Sequence, residues 1–134
     1  MLLCAAIRAG DVPSLERMLS EGVSVDSTAA VEAEDGFPSE YLGQAVTALM
    51  LAIGLRRNRI ARLLLERGAN VRAFRCLGET ALHTGAAFGN VEMIRVLIAA
   101  GNDIHAADDN GATPILYGER KGDVNKRLVP YYHQ

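Results

Sequence analysis

The sequence predicts an all-α solenoid of short stacked helix pairs, and three observations carry that expectation. Thr47, Thr80 and Thr113 follow one another at intervals of 33 residues. Gly68 and Gly101 keep the same interval. Within each interval two short apolar stretches at helical spacing flank a turn, as in Leu82, Gly85 and Ala86 followed by Met93, Val96 and Leu97. A fixed period with the same residue types in the same places marks stacked copies of one small unit.

The copies read in order as follows. The first, residues 1–26, carries Leu2-Leu3-Cys4-Ala5-Ala6-Ile7, then Gly10, Leu15, Met18, Leu19 and Gly22. Asp11 is its N-cap candidate, with Pro13 in the first helical turn, where a missing N–H does no harm. The second, residues 47–78, runs from Thr47 through Leu63-Leu64-Leu65 to Gly68. The third, residues 79–111, holds Thr80-Ala81-Leu82-His83, Gly89-Asn90 and Gly101-Asn102-Asp103-Ile104. The fourth, residues 112–129, opens on Thr113-Pro114 after the turn signal Asp108-Asp109-Asn110-Gly111. Pro130 stands one period after Leu97, so the last helix stops near Val129 and residues 130–134 form a tail. Gly22, Gly68 and Gly101 sit where second helices end, a place that favours the left-handed conformation. Each apolar stretch is eight to ten residues long. Helices that short are marginal alone in water, so they take their stability from stacking, and the array folds as a set.

Composition narrows the function. The chain has 134 residues, 49% of them hydrophobic, with three Phe, four Tyr and no Trp, so the core is Leu, Ile, Val and Ala. A net charge of −2 argues against a chain dominated by nucleic-acid binding. Cys4 and Cys76 fit neither a disulfide framework nor a zinc site, which favours a reducing compartment, cytoplasmic or nuclear. No apolar run reaches a membrane span. The opening apolar run lacks a basic leader and breaks at Arg8, too soon for a signal.

These residues resemble ankyrin repeats. Gly78-x-Thr80-Ala81-Leu82-His83 through Gly101-Asn102-Asp103-Ile104 carries the likeness, and Asp108-x-x-Gly111-x-Thr113-Pro114 starts it again. It covers nearly the whole chain, apart from one insertion and the tail. The resemblance implies antiparallel helix pairs with hairpin loops projecting to one side, in a single domain. It implies a protein-interaction module or scaffold with no catalysis, cofactor or metal, binding a protein through hairpin tips and the concave helix face. Monomer is the default state.

Slot by slot, the copies give expectations about framework residues. Thr80 caps a helix, and His83, three residues on, ties neighbouring units through backbone hydrogen bonds; a metal role lacks a partner at ligand spacing. Cys4, Met50 and Leu116 fill the slot of His83. Ala6, Ala52, Gly85 and Gly118 share a slot that needs a small side chain, so Ala52→Leu overpacks by roughly 1–3 kcal/mol. Glu119 replaces the apolar Ala86, as suits a terminal copy with one face in water.

Two departures bear on function. The interval from Gly22 to Thr47 is 25 residues and that from Gly68 to Thr80 is 12, so residues 27–46 hold an insertion of 13. It is acidic and carries Phe37 and Tyr41. It reads as a partner-contacting finger, as a mobile surface loop of no consequence, or as a loop whose Phe37 and Tyr41 fold back on the stack. Residues 1–46 hold eight acids and two arginines, whereas 47–78 hold seven arginines and one acid. Arg56, Arg57, Arg59 and Arg62 read as a solvated face, as partners of the acidic insertion, or as a phosphate site. Without interleaved aromatics the nucleic-acid reading is weak.

Carried over from the resemblance, helix-end and turn slots give the candidate contact residues Arg8, Leu55, Phe88, Arg120 and Lys121, with Leu77, Glu79, Asp109 and Asn110 at the turns and Phe74 just before one. Phe37 and Tyr41 of the insertion join them. Apolar residues in such slots suggest a binding patch, above all Phe74 and Leu77, while Phe88 and Leu55 are also explained by packing on each other between neighbouring units, the reading favoured for Leu55. The alternatives are a nucleic-acid or anionic-lipid binder using Arg56 to Arg62, and a regulatory segment of a larger enzyme.

Overall fold

Short helix pairs recur through the structure, a computed structural model that describes residues 2–73 and 78–120. These fall into two compact units, Met1–Asn70 and Val71–Gln134. In the first, α1 (Leu2–Ala9) packs on α2 (Val12–Ser20) and α3 (Ala48–Gly54) on α4 (Asn58–Glu66), with α1 stacked against α3. In the second, α5 (Ala81–Ala87) packs on α6 (Val91–Ala99) and on α7 (Pro114–Arg120).

The same local chemistry builds three of the pairs. The N–H groups of Asp11, Arg57 and Asn90 donate to the carbonyls of Ala6, Ala52 and Gly85 at 2.9, 2.8 and 2.9 Å, closing each turn. These acceptors are the small-residue slot read from the sequence. Each second helix then ends alike: Val23, Ala69 and Asn102 donate to Met18, Leu64 and Leu97 at 3.0, 2.9 and 3.0 Å. Gly22, Gly68 and Gly101 supply the left-handed φ of 97°, 90° and 92° that this ending requires. Side chains cap the starts: Asp11 Oδ1 accepts from the Ser14 N–H at 3.2 Å, Thr47 Oγ1 from Met50 at 3.1 Å and Asn90 Oδ1 from Met93 at 3.3 Å.

The cores are aliphatic, as composition requires. Leu3, Ile7, Leu15, Met50, Leu51, Ile53, Ile60 and Leu64 are buried in the first unit, and Leu82, Met93, Ile94 and Leu97 in the second. Cys4 is buried with the first set, and burial raises its thiol pKa.

The insertion contains regular structure of its own. Strand β1 (Thr28–Ala30) pairs antiparallel with β2 (Ala45–Thr47) in the register Thr28↔Thr47, Ala29↔Val46, Ala30↔Ala45. Between them lie two short 3-10 turns, Ala33–Asp35 and Ser39–Tyr41. Ala29, Val31, Phe37, Tyr41 and Val46 are buried. Of the readings of this segment, the fold-back one describes what is seen, because these five side chains give it an apolar core. The helical class holds, with this small sheet as an addition to it.

Candidate interaction surfaces

In the first unit the insertion grips the ends of the first helices. The Arg8 guanidinium, at the end of α1, donates from Nε to Asp35 Oδ1 at 2.8 Å and from Nη2 to Asp35 Oδ2 at 3.0 Å. Nη2 also reaches the Ala30 carbonyl at 2.9 Å, and Nη1 lies 3.4 Å from Glu32. Such two-point contacts fix geometry as well as charge. The Asp35 side chain is 3% exposed. Burial pushes its pKa up, but the bonds from Arg8 and from the Glu32 N–H outweigh this and hold it below the usual carboxylate value. The hydrogen bond to Asp35 raises the Arg8 pKa in turn.

At the end of α3, Phe37 lies over Gly54. A Cβ on Gly54 would come within 2.2 Å of Phe37 Cζ, so no other residue fits beneath the ring. Tyr41 meets Phe37 edge-to-face with centroids 5.6 Å apart.

Between α2 and α4 runs a groove of about 270 Å³ lined by Val12, Glu16, Arg59, Arg62, Leu63 and Glu66. The turn leading into α4 breaks two local rules. Arg56 holds a left-handed φ of 59° where the equivalent turns have Gly10 at 70° and Gly89 at 63°. That conformation costs a residue with a Cβ about 1–2 kcal/mol. Arg57 stands where Asp11 and Asn90 cap the other second helices, and its side chain makes no such cap. Instead Arg57 Nη2 donates to the Arg8 carbonyl at 2.7 Å.

In the second unit a buried polar network shapes the turn before α7. His83 Nδ1 accepts from the Thr80 N–H at 3.0 Å, so Nε2 carries the proton and donates to the Ala112 carbonyl at 2.9 Å. This is the backbone tie read from the sequence, and it occupies both ring nitrogens. Burial lowers the His83 pKa below 6.5, outweighing the bond to Ala112 and the charges of Asp108 and Glu79. Asp108 Oδ1 accepts from Asn110 at 2.9 Å and from Ala112 at 2.8 Å, while Oδ2 accepts from the Tyr117 hydroxyl at 2.5 Å. Burial raises the Asp108 pKa, but these donors bring it below the usual value. For Tyr117, burial and Asp108 together push the phenol pKa up. The tip residues Asp109 and Asn110 are exposed. Gly78 backs them: a Cβ there would lie 2.8 Å from Asp109 Oδ1.

The candidate contact residues are thus sorted by burial. Asp109 and Asn110 are exposed, and Leu55 and Phe88 are half-buried at the ends of α3 and α5. Phe37, Tyr41 and Glu79 are buried, which withdraws them from a contact surface. The aromatics pack inward with the insertion, and Glu79 lies beside Tyr117. Arg8 is committed to Asp35. Arg120 is the last residue of α7. Phe74, Leu77 and Lys121 lie outside the described residues, as do Cys76, Val129, Pro130 and the tail. Sequence reasoning passed over Tyr117, saw Asp35 only as one acid of the insertion and Gly54 only as a helix-end contact slot. Tyr117 was within reach, since its slot is occupied by Thr84 and Leu51 one and two periods earlier. A hydroxyl at the end of a large ring there signals a buried partner.

Helix pairs closed by the same backbone hydrogen bonds at their turns and endings define a helical repeat protein. The chain matches the family described as ankyrin repeats (3 copies) over residues 2–108 and again over 58–132, and it belongs to that family. It is 33% identical over 97 residues, 70% of this chain and 42% of the relative, to the probable 26S proteasome regulatory subunit p28 of Saccharomyces cerevisiae. Another relative is the ankyrin repeat, SAM and basic leucine zipper domain-containing protein 1 of Chlorocebus aethiops. It is 33% identical over 122 residues, 87% of this chain and 23% of the relative. A third, the mouse protein fem-1 homolog A-like, is 37% identical over 88 residues, 66% of this chain and 13% of the relative. The chain spans less than half the length of each of these. Ankyrin repeats are in general protein-interaction modules. No helix among the described residues is long and apolar enough to cross a membrane.

Proposed function

We propose that this chain is a protein-binding module of four repeats, residues 1–26, 47–78, 79–111 and 112–129, that engages its partner through turn tips of the second unit. The observation that carries this reading is the tip at Asp109 and Asn110. Their side chains are exposed, while Asp108, Gly78 and the Tyr117 hydroxyl fix the backbone beneath them. A contact surface held rigid before binding loses little entropy on association. The polar groups under the tip are engaged in holding it, which favours recognition over chemistry. Phe88 at the end of α5 adds an aromatic contact of the kind enriched at interface centres.

Affinity capture from cell extract, run beside an Asp109→Ala, Asn110→Ala variant and a Phe88→Ala variant, tests the reading. The tip variant should melt like the parent, and both variants, while still folded, should lose captured protein. Undiminished capture by both folded variants would move the contact surface elsewhere.

A further inference from the structure

The turn before α7 carries a reactive group that partner binding leaves unused. Asn110 is followed by Gly111, and no other asparagine of the chain precedes a glycine. We propose that Asn110 is a self-modification site, at which the Gly111 backbone nitrogen attacks the side-chain amide and converts it to a carboxylate. This chemistry goes beyond partner binding and needs no partner. A C–N bond forms between Gly111 N and Asn110 Cγ, the bond from Cγ to Nδ2 breaks, and Nδ2 leaves as ammonia with the Gly111 proton. Water then opens the cyclic imide at either carbonyl. The product is an aspartyl residue, or an isoaspartyl one whose backbone runs through Cγ.

Asparagine is a labile side chain where it is free to turn onto the next nitrogen. Asn110 is exposed, and among the described residues only its backbone is hydrogen-bonded. By contrast Asn90 Oδ1 accepts from Met93 and Asn102 Nδ2 donates to the Val71 carbonyl, and both residues are buried. Gly111 has no side chain to crowd its nitrogen, and nothing lies within 4 Å of where a Cβ would stand. Asp35-Gly36 is the matching dipeptide of the first unit. Its carboxylate is ionised against Arg8, with one oxygen held at 2.8 Å and the other at 3.0 Å, so it offers neither a leaving group nor freedom to turn.

One restraint sets the rate. The Gly111 N–H donates to the Asp108 carbonyl at 2.9 Å and must leave it to react. Local opening of the turn therefore gates the step. The bonds that keep the turn closed converge on the Asp108 side chain, from Asn110, Ala112 and Tyr117. The product in turn loosens the joint. An isoaspartyl backbone is one carbon longer between residues 110 and 111, so Asp108 Oδ1 no longer meets the N–H groups of 110 and 112 together. The Ala112 carbonyl, which accepts from His83, is displaced with them. The change is one-way, and it adds a negative charge beside Asp109.

Incubation of the whole chain in mildly alkaline buffer, followed by peptide mapping and an assay of released ammonia, tests the site. Fragments that contain Asn110 should split into aspartyl and isoaspartyl forms while Asn90 and Asn102 stay intact. The rate should rise with pH, because the attacking nitrogen must lose its proton. A sample unfolded in urea should convert faster than the folded chain. Tyr117→Phe, which frees one bond of the closed turn, should accelerate conversion of the folded chain about fivefold or more. Asn110→Gln, whose longer side chain closes a less favoured ring, should slow ammonia release at least tenfold. Amide exchange of the separated isoaspartyl form should show protection lost around residues 108–117. Asn110 left intact in the folded chain after the unfolded sample has converted would overturn the proposal, as would conversion of Asn90 or Asn102 at the same rate. A folded-chain rate unmoved by Tyr117→Phe would overturn the gating by the turn.

Discussion

The two units join consecutive helix pairs by different means. In the second, α5 and α7 meet through a short connection held by buried polar groups, with His83 donating to the Ala112 carbonyl and Tyr117 to Asp108. In the first, the slot of His83 is filled by Cys4 and Met50, both fully buried and unable to make that tie. There the connection is the longer one, and it brings its own core. Phe37 caps Gly54, and Asp35 is held by Arg8. A polar tie and an apolar plug with a charged clamp are thus alternative ways of fixing one repeat on the next. The alternatives differ in consequence. The tie leaves the turn tip exposed, whereas the plug covers the ends of the first helices.

The comparison is sharpest where the units should behave alike. Leu64 and Leu97 occupy one slot and are both fully buried. Leu64→Ala and Leu97→Ala should each cost about 2–5 kcal/mol, read from urea unfolding midpoints. A large cost in one unit and none in the other would mean that the two cores are not built on the same register. Next in size is Gly54→Ala, specific to the plug. The added Cβ drives Phe37 off its seat, with a cost of about 1–3 kcal/mol. Combining it with Phe37→Ala should cost less than the sum of the two single changes, because the clash disappears with the ring. Strict additivity would show that Phe37 does not rest on Gly54.

Helix pairs, glycine endings, the small-residue slot and the His83 tie were legible in the sequence because each follows from a local rule repeated at a fixed interval. Superimposed copies make such rules visible. The insertion occurs once, so it had no copy to be compared with. Its acids and aromatics were visible, but their partners Arg8 and Gly54 lie 27 and 17 residues away from Asp35 and Phe37 respectively. Spacing of that kind follows no periodic rule. Glu79 is a different case: it shares its place before Thr80 with Val46 before Thr47 and is buried as Val46 is. A turn slot in sequence was an interior position in the fold. The arginine row on α4 was evident, and its carboxylate neighbour Glu16 on α2 emerged only with the packing of the two helices.

A smaller effect distinguishes the polar tie. Tyr117→Phe removes one of three donors to Asp108 and leaves the backbone donors from Asn110 and Ala112 in place. The cost should be about 1–2 kcal/mol, with the loss of amide protection concentrated around residues 108–117. Unchanged exchange in that stretch would show that the hydroxyl contributes nothing to the tip.

Acid should separate the two kinds of joint without any substitution. The His83 pKa is depressed by folding below its ordinary 6.5, chiefly by burial. The unfolded chain therefore takes up that proton first as pH falls. Stability from this group is complete above pH 6.5 and declines below it, by at most about 1.4 kcal/mol per pH unit, until the folded histidine titrates. Protonation of Nδ1 removes the acceptor for the Thr80 N–H, so the loss falls on the second unit. Asp35 is also depressed, from an ordinary value of 3.8. Its contribution is complete above that value and is lost only as pH falls below it. Between pH 6 and 4.5, measured at intervals by amide exchange, the helices α5 and α7 should lose protection while α1 and α3 keep theirs, on the order of the linkage slope above. His83→Gln should flatten that difference, since glutamine has no proton to gain. Equal loss in both units across that range, or a slope that persists in the glutamine variant, would show that the histidine tie does not govern the acid response of the second unit.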